Sequence, residues 1–459
     1  MTVASVPATA DARAHLELEA ISVTYPGRRT PSLDDVSLEA GPGERLGVAG
    51  RTGAGKSTVA LVAAGFVPRV VRAAVRGRLL VGGELQPTSG DARSLAGRVG
   101  IIFSTPANQL SASKLSVREE LAFGLENLAL PRAEMDVRID DALERLDVVH
   151  LADREPFSLS GGEQQRVAIA SMVAMGNDIL VLDEPTAQLD PAGALAVARL
   201  LADLAARGAA IVCAEQQTAI LGGLDRCLLL DAGRAVVTAA PGAALASASL
   251  TAIGLTAPAI VRLAEALGVD PHDAFDEGAI LLALGQRTSA SAASAGHHAP
   301  AATLHPTIEP GWQPLADRTV PLIEVEALAH RYGAIEAVRD VSLTIAPGER
   351  VAIVGRNGSG KTTLAKHLVG LLRPAAGVIR IDGRDIAGDA IHEVARTVGF
   401  VFQDPDAQLF ARSIEREVAF GPRNLGLDPA RTAALVGDAL AAVGLEGDRA
   451  TNPYDLDVS

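Results

Sequence analysis

The chain contains two long copies of one sequence pattern. The string GRTGAGKST, which begins at Gly50, returns as GRNGSGKTT from Gly355, and the preceding DDVSLEAGPGERLGVAG returns as RDVSLTIAPGERVAIVG. Farther along, REELAFGLENLAL from Arg118 has its counterpart in EREVAFGPRNLGL from Glu415. Such self-similarity indicates two copies of one structural unit. The length of 459 residues agrees, because it exceeds what one hydrophobic core organises.

In each half an apolar segment precedes the glycine-rich string and a helix-compatible segment follows it. We predict strands at RLGVAG and RVAIVG, and helices at VALVAAGF and LAKHLVGLL. In the first half, DILVLDEP from Asp178 and AAIVCAE from Ala209 are predicted to be further strands of a parallel sheet. The pattern predicts an α/β fold in two tandem copies.

Both glycine-rich strings satisfy GxxxxGK[ST], the pattern of a loop that binds the phosphates of a nucleotide such as ATP. Glycines let the backbone N–H groups turn toward phosphate, and the following helix adds its positive N-terminal end. We expect Lys56 and Lys361 to neutralise the β and γ phosphates, and Ser57 and Thr362 to offer hydroxyls to Mg²⁺. The predicted binding residues are Gly50, Arg51, Thr52, Gly53, Ala54, Gly55, Lys56, Ser57 and Thr58 in the first loop, and Gly355, Arg356, Asn357, Gly358, Ser359, Gly360, Lys361, Thr362 and Thr363 in the second.

Two adjacent carboxylates, Asp183 and Glu184, end the predicted strand ILVLD. The carboxyl edge of a parallel sheet is where ligands usually bind. We expect Asp183 to hold Mg²⁺ through water and Glu184, as the catalytic residue, to polarise the attacking water. A solvated acidic pair without a role is the alternative for this pattern taken alone.

The segment SLSGGEQQRVAIASMVA from Ser158 contains Ser160, Gly161, Gly162 and Glu163 at the predicted start of a second helix. With this LSGGE signature, the two loops and the DEP sequence, the first half resembles an ATP-binding cassette (ABC) domain along nearly its whole length. The resemblance implies a P-loop NTPase fold, with a RecA-like parallel sheet and antiparallel β and α-helical subdomains. It also implies an ATPase in which ATP lies between one domain's loop and the other's signature, so that one complete chain can form the pair internally.

Several single residues occupy positions to which the same resemblance gives a role. Tyr25 and Tyr332 match the position that stacks on adenine, although a core tyrosine explains each equally well. Asp190 matches a position for communication between the two sites. Gln216 stands, to within one residue, where the family has its switch histidine.

The second half also resembles the coupling ATPases of energy-coupling factor importers, which take up vitamins and metal ions such as cobalt or nickel. The likeness rests on Phe402, Gln403, Asp404, Pro405 and Gln408 in VGFVFQDPDAQLF. It implies a peripheral protein at the cytoplasmic face of the cell membrane, where the cassettes grip helices of a T-component that works with a substrate-binding S-component. Gln403 is then expected to sense both Mg²⁺ and the membrane partner.

The first half departs from this pattern at two positions. Ser104 stands where the second half has Gln403, and Gln216 replaces a histidine that would hydrogen-bond the γ-phosphate as charge develops. Glutamine donates a hydrogen bond but carries no charge. We therefore hypothesise that the first loop binds ATP firmly and hydrolyses it slowly.

The sequence suggests the following domain boundaries: a tail at 1–14, a first domain at 15–245 with a C-terminal extension at 246–285, a linker at 286–320 and a second domain at 321–459. The linker is rich in Ala, Ser, Pro and His. Its His297, His298 and His305 are expected to be surface residues rather than metal ligands. Because Ser459 aligns with Ser160, the second domain is expected to be incomplete.

Composition narrows the function further. A formal charge of -14, from 41 basic and 55 acidic side chains, leaves no general basic surface for nucleic acid. We find neither a secretory signal nor an apolar run of the ~18–20 residues that a membrane helix needs. Cys213 and Cys227 are expected to be buried thiols. A tandem cassette that acts on ribosomes and a regulator that binds ATP without turnover are the alternative functions.

Overall fold

The computed structural model describes residues 15–28, 30–87, 95–187, 189–216, 218–294, 321–333, 335–355, 358–402 and 408–456. The chain divides into two compact units, unit 1 within residues 1–300 and unit 2 within residues 301–458. The predicted tail at 1–14 lies outside the described residues, as do His297, His298 and His305. The first part of the predicted linker is helical, because the last helix of unit 1 continues to Ser294.

Unit 1 is an α/β unit, as predicted. Its strands are β1 (Leu16–Thr24), β2 (Leu33–Ala40), β3 (Arg45–Gly50), β4 (Ala74–Val81), β5 (Glu84–Gln86), β6 (Val99–Ile102), β7 (Ile179–Asp183), β8 (Ala210–Ala214), β9 (Arg226–Asp231) and β10 (Arg234–Ala239). Its helices are α1 (Lys56–Ala63), α2 (Val117–Asn127), α3 (Arg132–Arg145), α4 (Gly161–Met175), α5 (Pro191–Ala206), α6 (Thr218–Leu221), α7 (Pro241–Ala244), α8 (Ser247–Ala252), α9 (Ala259–Leu267) and α10 (Glu277–Ser294).

The central sheet of unit 1 has the strand order β10-β9-β3-β8-β7-β6. β9, β3, β8, β7 and β6 run parallel, and β10 pairs antiparallel with β9. Every residue of β7 and of β8 is buried, which explains why both segments are continuously apolar rather than alternating. The two strands predicted at DILVLDEP and AAIVCAE are therefore confirmed.

Apolar side chains cover both faces of this sheet. Val48, Val181 and Val212 belong to the cluster shared with α1 and the antiparallel sheet β2-β1-β4-β5. Cys213 and Cys227 belong to the cluster on the opposite face, with residues of α2 to α5. Both cysteines are free and buried, as expected, and burial raises the pKa of the Cys227 thiol to about 12.

Unit 2 repeats part of this arrangement. Its described elements are β11 (Ile323–Tyr332), β12 (Ile335–Ile345), β13 (Ala376–Ile381), β14 (Arg384–Asp385), α11 (Lys361–Leu368), α12 (Ile391–Val394), α13 (Ile414–Asn424) and α14 (Pro429–Ala442). The antiparallel sheet β12-β11-β13-β14 corresponds to β2-β1-β4-β5 of unit 1. The predicted helix after the second glycine-rich loop is α11.

The strand predicted at RVAIVG in unit 2 is wrong. Residues 351–355 form no strand, and Val354 is 90% exposed. In unit 1 the equivalent β3 pairs with β8 on one side and β9 on the other, and both of these strands follow the signature in sequence. Among the described residues of unit 2, no strand pairs with residues 351–355. An apolar segment without neighbours cannot satisfy its backbone groups as a strand.

Among the helices of the described residues, none is both long enough and apolar enough to cross a membrane.

Candidate functional site

The first glycine-rich loop connects β3 to α1 and is shaped by its glycines. Gly50 has φ 152°, and a Cβ there would lie 2.4 Å from the carbonyl oxygen of Leu230 on the neighbouring strand β9. Gly55 has φ 104°, and a Cβ there would lie 2.7 Å from the carbonyl oxygen of Ser32. At these two positions the loop backbone lies so close to neighbouring carbonyl oxygens that a residue with a Cβ atom would not fit. Gly53 also has a positive φ of 78°, and the Ala54 side chain within the loop is buried.

Lys56 begins α1 and folds its side chain back over the loop. Its Nζ donates to the carbonyl oxygens of Gly50 and Arg51, both at 3.1 Å, and lies 3.7 Å from Oε1 of Glu184. The side chain is 4% exposed. Burial lowers the pKa of Lys56, while the charge of Glu184 acts in the opposite direction. The ammonium group of Lys56 is thus held between the carbonyl oxygens of the loop and the carboxylate of Glu184.

Ser57 and Asp183 come together at the same edge of the sheet, although they are far apart in sequence. Ser57 Oγ donates to Oδ1 of Asp183 at 3.0 Å, and Asp183 ends β7 with 7% exposure. Burial raises the pKa of Asp183 to about 6, and the hydrogen bond from Ser57 partly opposes this rise. A cation would stabilise the charged carboxylate at this buried position.

A hydroxyl and a carboxylate are hard oxygen ligands of the kind that Mg²⁺ prefers. Within the described part of the chain, no group of three or more His, Cys, Asp or Glu residues is placed to hold a metal ion. Mg²⁺ typically takes one or two carboxylates and completes its shell with water and substrate phosphates. Ser57 and Asp183 therefore fit a magnesium ion that binds with a nucleotide.

Glu184 and Gln216 are joined directly. Gln216 Nε2 donates to Oε1 of Glu184 at 2.8 Å and lies 3.4 Å from Oγ1 of Thr52 in the loop. Glu184 has φ 48°, an unusual value for a residue other than glycine. The amide of Gln216 thus bridges the loop and the carboxylate predicted to be catalytic.

A buried acid beside this bridge was missed by the sequence reasoning. Glu215 follows β8 and is 1% exposed. Its Oε2 accepts from Thr186 Oγ1 at 2.5 Å and its Oε1 accepts from the backbone N–H of Gln216 at 2.8 Å. Glu215 therefore fixes the backbone that carries Gln216. The available signal was an acidic residue directly after a wholly apolar strand.

The signature residues lie at the N-terminus of α4, as predicted. Ser160 Oγ accepts from the backbone N–H of Glu163 at 3.4 Å, and the Glu163 carboxylate accepts from the N–H and the hydroxyl of Ser160, both at 2.8 Å. Gly161 and Gly162 form the first turn. Burial raises the pKa of Glu163, but the hydrogen bonds from Ser160 outweigh it and the pKa is lowered overall. This is a capping box, which the spacing of Ser160 and Glu163 makes recognisable in sequence.

The other predicted residues of unit 1 are placed as follows. Asp190 caps α5 and accepts from the N–H of Gly193 at 2.8 Å. Tyr25 packs partly buried against the core, with its hydroxyl 3.4 Å from Oγ1 of Thr58. Ser104 lies just after the end of β6.

In unit 2 the second loop has the same backbone requirement. Gly360 has φ 88°, and a Cβ there would lie 2.1 Å from the carbonyl oxygen of Ala337. Lys361 Nζ donates to the carbonyl oxygen of Gly355 at 2.8 Å, as Lys56 does to Gly50. Tyr332 ends β11, half-exposed, with its ring edge against His330 at 4.7 Å between centroids.

The remaining predicted residues of the second loop have the following positions. Gly358 has a positive φ of 77°, and Ser359 is the nearest contact for a Cβ at Gly355. Thr362 and Thr363 lie in the first turn of α11. Arg356, Asn357 and Gln403 lie outside the described residues.

Comparisons with known proteins identify the family of the chain. The family model described as ABC transporter matches residues 33–187 and 338–456. A putative ABC transporter ATP-binding protein of Methanosarcina acetivorans is 37% identical over 97% of this chain and 73% of its own length. A protein of the same description from Streptomyces coelicolor is 35% identical over 93% of this chain and 77% of its own length.

Among solved structures, the Clostridium perfringens protein cbiO1, described as part of the ABC transporter complex cbiONQ, is 31% identical. The match covers 55% of this chain and 98% of that chain, with a TM-score of 0.46. From the two matched segments, the full-length relatives and the site geometry, the chain belongs to the ABC transporter family, as an ATP-binding subunit with two tandem ABC domains whose hydrolysis of ATP is coupled to transport.

Proposed function

We propose that this ATPase energises an importer of the energy-coupling factor type, with a vitamin or a metal ion such as cobalt or nickel as cargo. The observation that supports it is a set of exposed aromatic side chains on, or just before, the first helix after each glutamine-containing loop. In unit 2, Phe410 and Phe420 stack edge to face at 4.6 Å between centroids, and both are exposed. In unit 1, Phe123 of α2 is exposed, with Lys114 Nζ 5.7 Å from its ring centroid.

Exposed aromatic side chains of this kind mark interaction surfaces. The aromatic residue occurs in the AFG sequence of both halves, as Phe123 and as Phe420. Its position suits a helix of a membrane T-component that inserts apolar side chains beside α2 and α13. In this proposal the protein is peripheral to the membrane at its cytoplasmic face, and an S-component supplies the substrate.

The partner surface is tested by co-purification from membranes. We expect Phe420→Ala to lose most of the membrane partner, while Val443→Ala, at a more exposed apolar position in unit 2, keeps it. Mass spectrometry of the retained proteins identifies the partner class. Recovery of a permease pair with an extracytoplasmic binding protein, instead of T- and S-components, would contradict the importer type.

Within each nucleotide site we assign the following roles to the residues predicted from the sequence. Lys56 and Lys361 neutralise the β and γ phosphates, and the glycine-rich loops offer their N–H groups. Ser57 and Asp183 in unit 1, and Thr362 and Gln403 in unit 2, hold Mg²⁺, which supplies charge neutralisation to the phosphates when bound. Glu184 orients the attacking water, Tyr25 and Tyr332 contact adenine, and Asp190 links the sites.

We further propose that the first site binds ATP firmly and turns it over slowly. The hydrogen bond from Gln216 to Glu184 supports this, because it occupies one oxygen of the carboxylate that would accept a proton from water. Gln216 also carries no charge with which to stabilise the transferring phosphoryl group.

This asymmetry is tested by nucleotide trapping and steady-state hydrolysis in the intact protein. Lys361→Ala is expected to remove most of the turnover, whereas Lys56→Ala removes mainly the trapped nucleotide. Gln216→His in the Lys361→Ala background is expected to raise hydrolysis by roughly tenfold, less than the ~10²–10³-fold that one preorganised transition-state donor contributes. An equal loss of turnover in the two lysine variants would refute the asymmetry.

A further inference from the structure

Two histidines of unit 2 occupy positions where unit 1 has buried valines. His330 lies in β11 and His367 lies in α11. Aligned on the glycine-rich loops and on the tyrosine that follows the first strand of each unit, they correspond to Val23 and Val62. Both valines belong to the apolar cluster that α1 shares with the antiparallel sheet. An imidazole at a position that is apolar in the other copy needs hydrogen-bond partners to offset its burial.

The two imidazole rings are hydrogen-bonded to each other and to the backbone. Nδ1 of His367 lies 2.7 Å from the carbonyl oxygen of Thr363, and its Nε2 lies 3.1 Å from Nδ1 of His330. Nδ1 of His330 also lies 3.3 Å from the carbonyl oxygen of Arg373. Because a carbonyl oxygen only accepts, both Nδ1 atoms carry a proton, and Nε2 of His367 is the acceptor in the pair. We call these two residues the histidine pair.

Protonation of His367 would break the histidine pair. A proton added to its Nε2 would point one N–H group at the N–H group of His330. His367 is 0% exposed, so water cannot take over as a partner. Burial lowers the pKa of His367 below its ordinary 6.5, and the nearby ring of His330 acts in the same direction. The pair is therefore neutral near pH 7, and acid disrupts it.

Charged groups also lie on the segments packed against the histidine pair. Lys366 precedes His367 on α11, and Arg373 and Asp389 line one small cavity with His367. The Asp389 carboxylate is already paired with Arg384 at 2.6 Å. The neighbouring strands contribute apolar side chains, Val338 on β12 and Ile379 on β13. The two cations disfavour a positive charge on the pair, and the one carboxylate among these groups has its own partner.

His330 also supports the tyrosine that is predicted to contact adenine. The rings of His330 and Tyr332 meet edge to face, with 4.7 Å between centroids and 74° between planes. His330 meets His367 in the same way, at 4.6 Å and 72°. Tyr332 is 48% exposed, whereas Tyr25 of unit 1 packs against the apolar cluster. The three rings therefore connect Tyr332 to α11, the helix that begins at Lys361 of the second loop.

We propose that His330 and His367 are positioning residues of the second nucleotide site, which hold the Tyr332 ring in place for adenine at neutral pH and release it in acid. The inference rests on the adenine contact of Tyr332 proposed above. The two histidines act through Tyr332 and are assigned no contact with the nucleotide. Because the first site has valines at both positions, this dependence on the histidine pair is expected in the second site alone.

The first test measures nucleotide binding by the second site in the intact protein with Lys56→Ala, which removes nucleotide from the first site. His330→Ala is expected to weaken binding of a fluorescent ATP analogue near pH 7.5 by roughly threefold to tenfold, the scale of one edge-to-face ring contact. Tyr332→Leu is expected to weaken it at least as much. Inorganic tripolyphosphate, which competes for the glycine-rich loop but has no adenine, is expected to bind both variants as tightly as it binds the parent protein.

The pH dependence separates positioning from a purely structural role. The double variant His330→Val/His367→Val reproduces the core of unit 1 and has no titrating pair. Between about pH 7.5 and about pH 5, the parent protein is expected to lose roughly threefold to tenfold more ATP affinity than the double variant, since one pKa unit corresponds to about tenfold. Protonation of the nucleotide is the same for both proteins and cancels in this comparison. The matched control is His392→Ala, at an exposed histidine on α12, which is expected to keep the parent pH dependence.

Three results would overturn the inference and leave the adenine contact of Tyr332 intact. They are a weakened Tyr332→Leu beside an unchanged His330→Ala, an equal loss of tripolyphosphate and ATP affinity in His330→Ala, and a double valine variant with the parent pH dependence. If Tyr332→Leu leaves ATP binding unchanged, the adenine contact itself is wrong and the inference fails with it.

Discussion

At the scale of single residues, the first site is a small group of charges buried together. The pKa values of Lys56 and Asp183 are each affected by the charge of the other and by the charges of Glu184 and Glu215. Three carboxylates around one ammonium leave an excess of negative charge, which suits a site that receives a divalent cation with its nucleotide. Burial is the main cause of the raised pKa of Asp183, and the negative charges of Glu184 and Glu215 raise it further.

Asp183→Asn is expected to stabilise the nucleotide-free protein and to weaken Mg²⁺-dependent ATP binding. The pKa of Asp183 is about 6 in the folded state, above the ordinary 3.8. The folded state therefore holds this proton more tightly, and stability falls as the pH rises from 3.8 to about 6. The gain in unfolding free energy for the variant should be about 3 kcal/mol near pH 7.5 and about 1 kcal/mol smaller near pH 5, from ~1.4 kcal/mol per pKa unit.

Urea unfolding at the two pH values checks this prediction, and Asn retains an oxygen that accepts from Ser57. An equal gain in unfolding free energy at both pH values would show that the ionisation of Asp183 does not destabilise the folded protein.

At the scale of elements, the two antiparallel sheets share one irregularity. β1 and β4 shift register between Glu19 and Ser22, and β11 and β13 do so between Glu326 and Ala329. Opposite the first shift lies Gly77 with φ 95°, and opposite the second lies Gly377 with φ 94°. A bulge conserved between two copies of an element in one chain is a feature that bends the strand in a required direction.

Gly77→Ala is expected to destabilise unit 1 by roughly 2–4 kcal/mol. A Cβ at this position would lie 2.5 Å from the carbonyl oxygens of Glu19 and Ala20, and its φ is unfavourable for alanine. Gly83→Ala is the control, because its φ is 77° but no atom lies within 4 Å of the added Cβ. It should cost only about 1 kcal/mol. Thermal unfolding of both variants tests this prediction. Equal decreases in melting temperature would mean that the unfavourable φ alone, and not the close contact at the bulge, destabilises the variants.

At the scale of the whole molecule, the net charge limits which partners the chain can bind. The formal charge is -14, with 21% charged residues. Acidic proteins are repelled by nucleic acid unless a local basic surface overcomes the repulsion. The net negative charge therefore favours the transport function over action on ribosomes, which other tandem ABC proteins perform.

We predict that neither ribosomes nor single-stranded RNA stimulates hydrolysis by the intact protein. Filter binding near 0.15 M salt is expected to show no saturable complex with RNA. The contrary result is a salt-dependent complex accompanied by a rise in ATPase rate, which would restore the ribosome-directed function.

Local sequence patterns determined much of this protein because their meaning depends on few residues. The glycines at Gly50, Gly55 and Gly360 are required by backbone angles, and the Ser160–Glu163 spacing makes its own capping box. The continuous apolar residues of β7 and β8 predict strands that are buried on both faces. These features led to the fold, the loops and the signature without any tertiary contact.

Only the tertiary structure decided which side chains meet. The bond from Gln216 to Glu184 depends on β8 lying beside β7, and the contact of Gly50 with Leu230 depends on β9 lying beside β3. Glu215 looks like an ordinary acidic residue until its buried partners are known. RVAIVG has the same apolar pattern as RLGVAG but forms no strand, because a parallel strand needs neighbours to accept its backbone hydrogen bonds, and sequence pattern alone does not supply them.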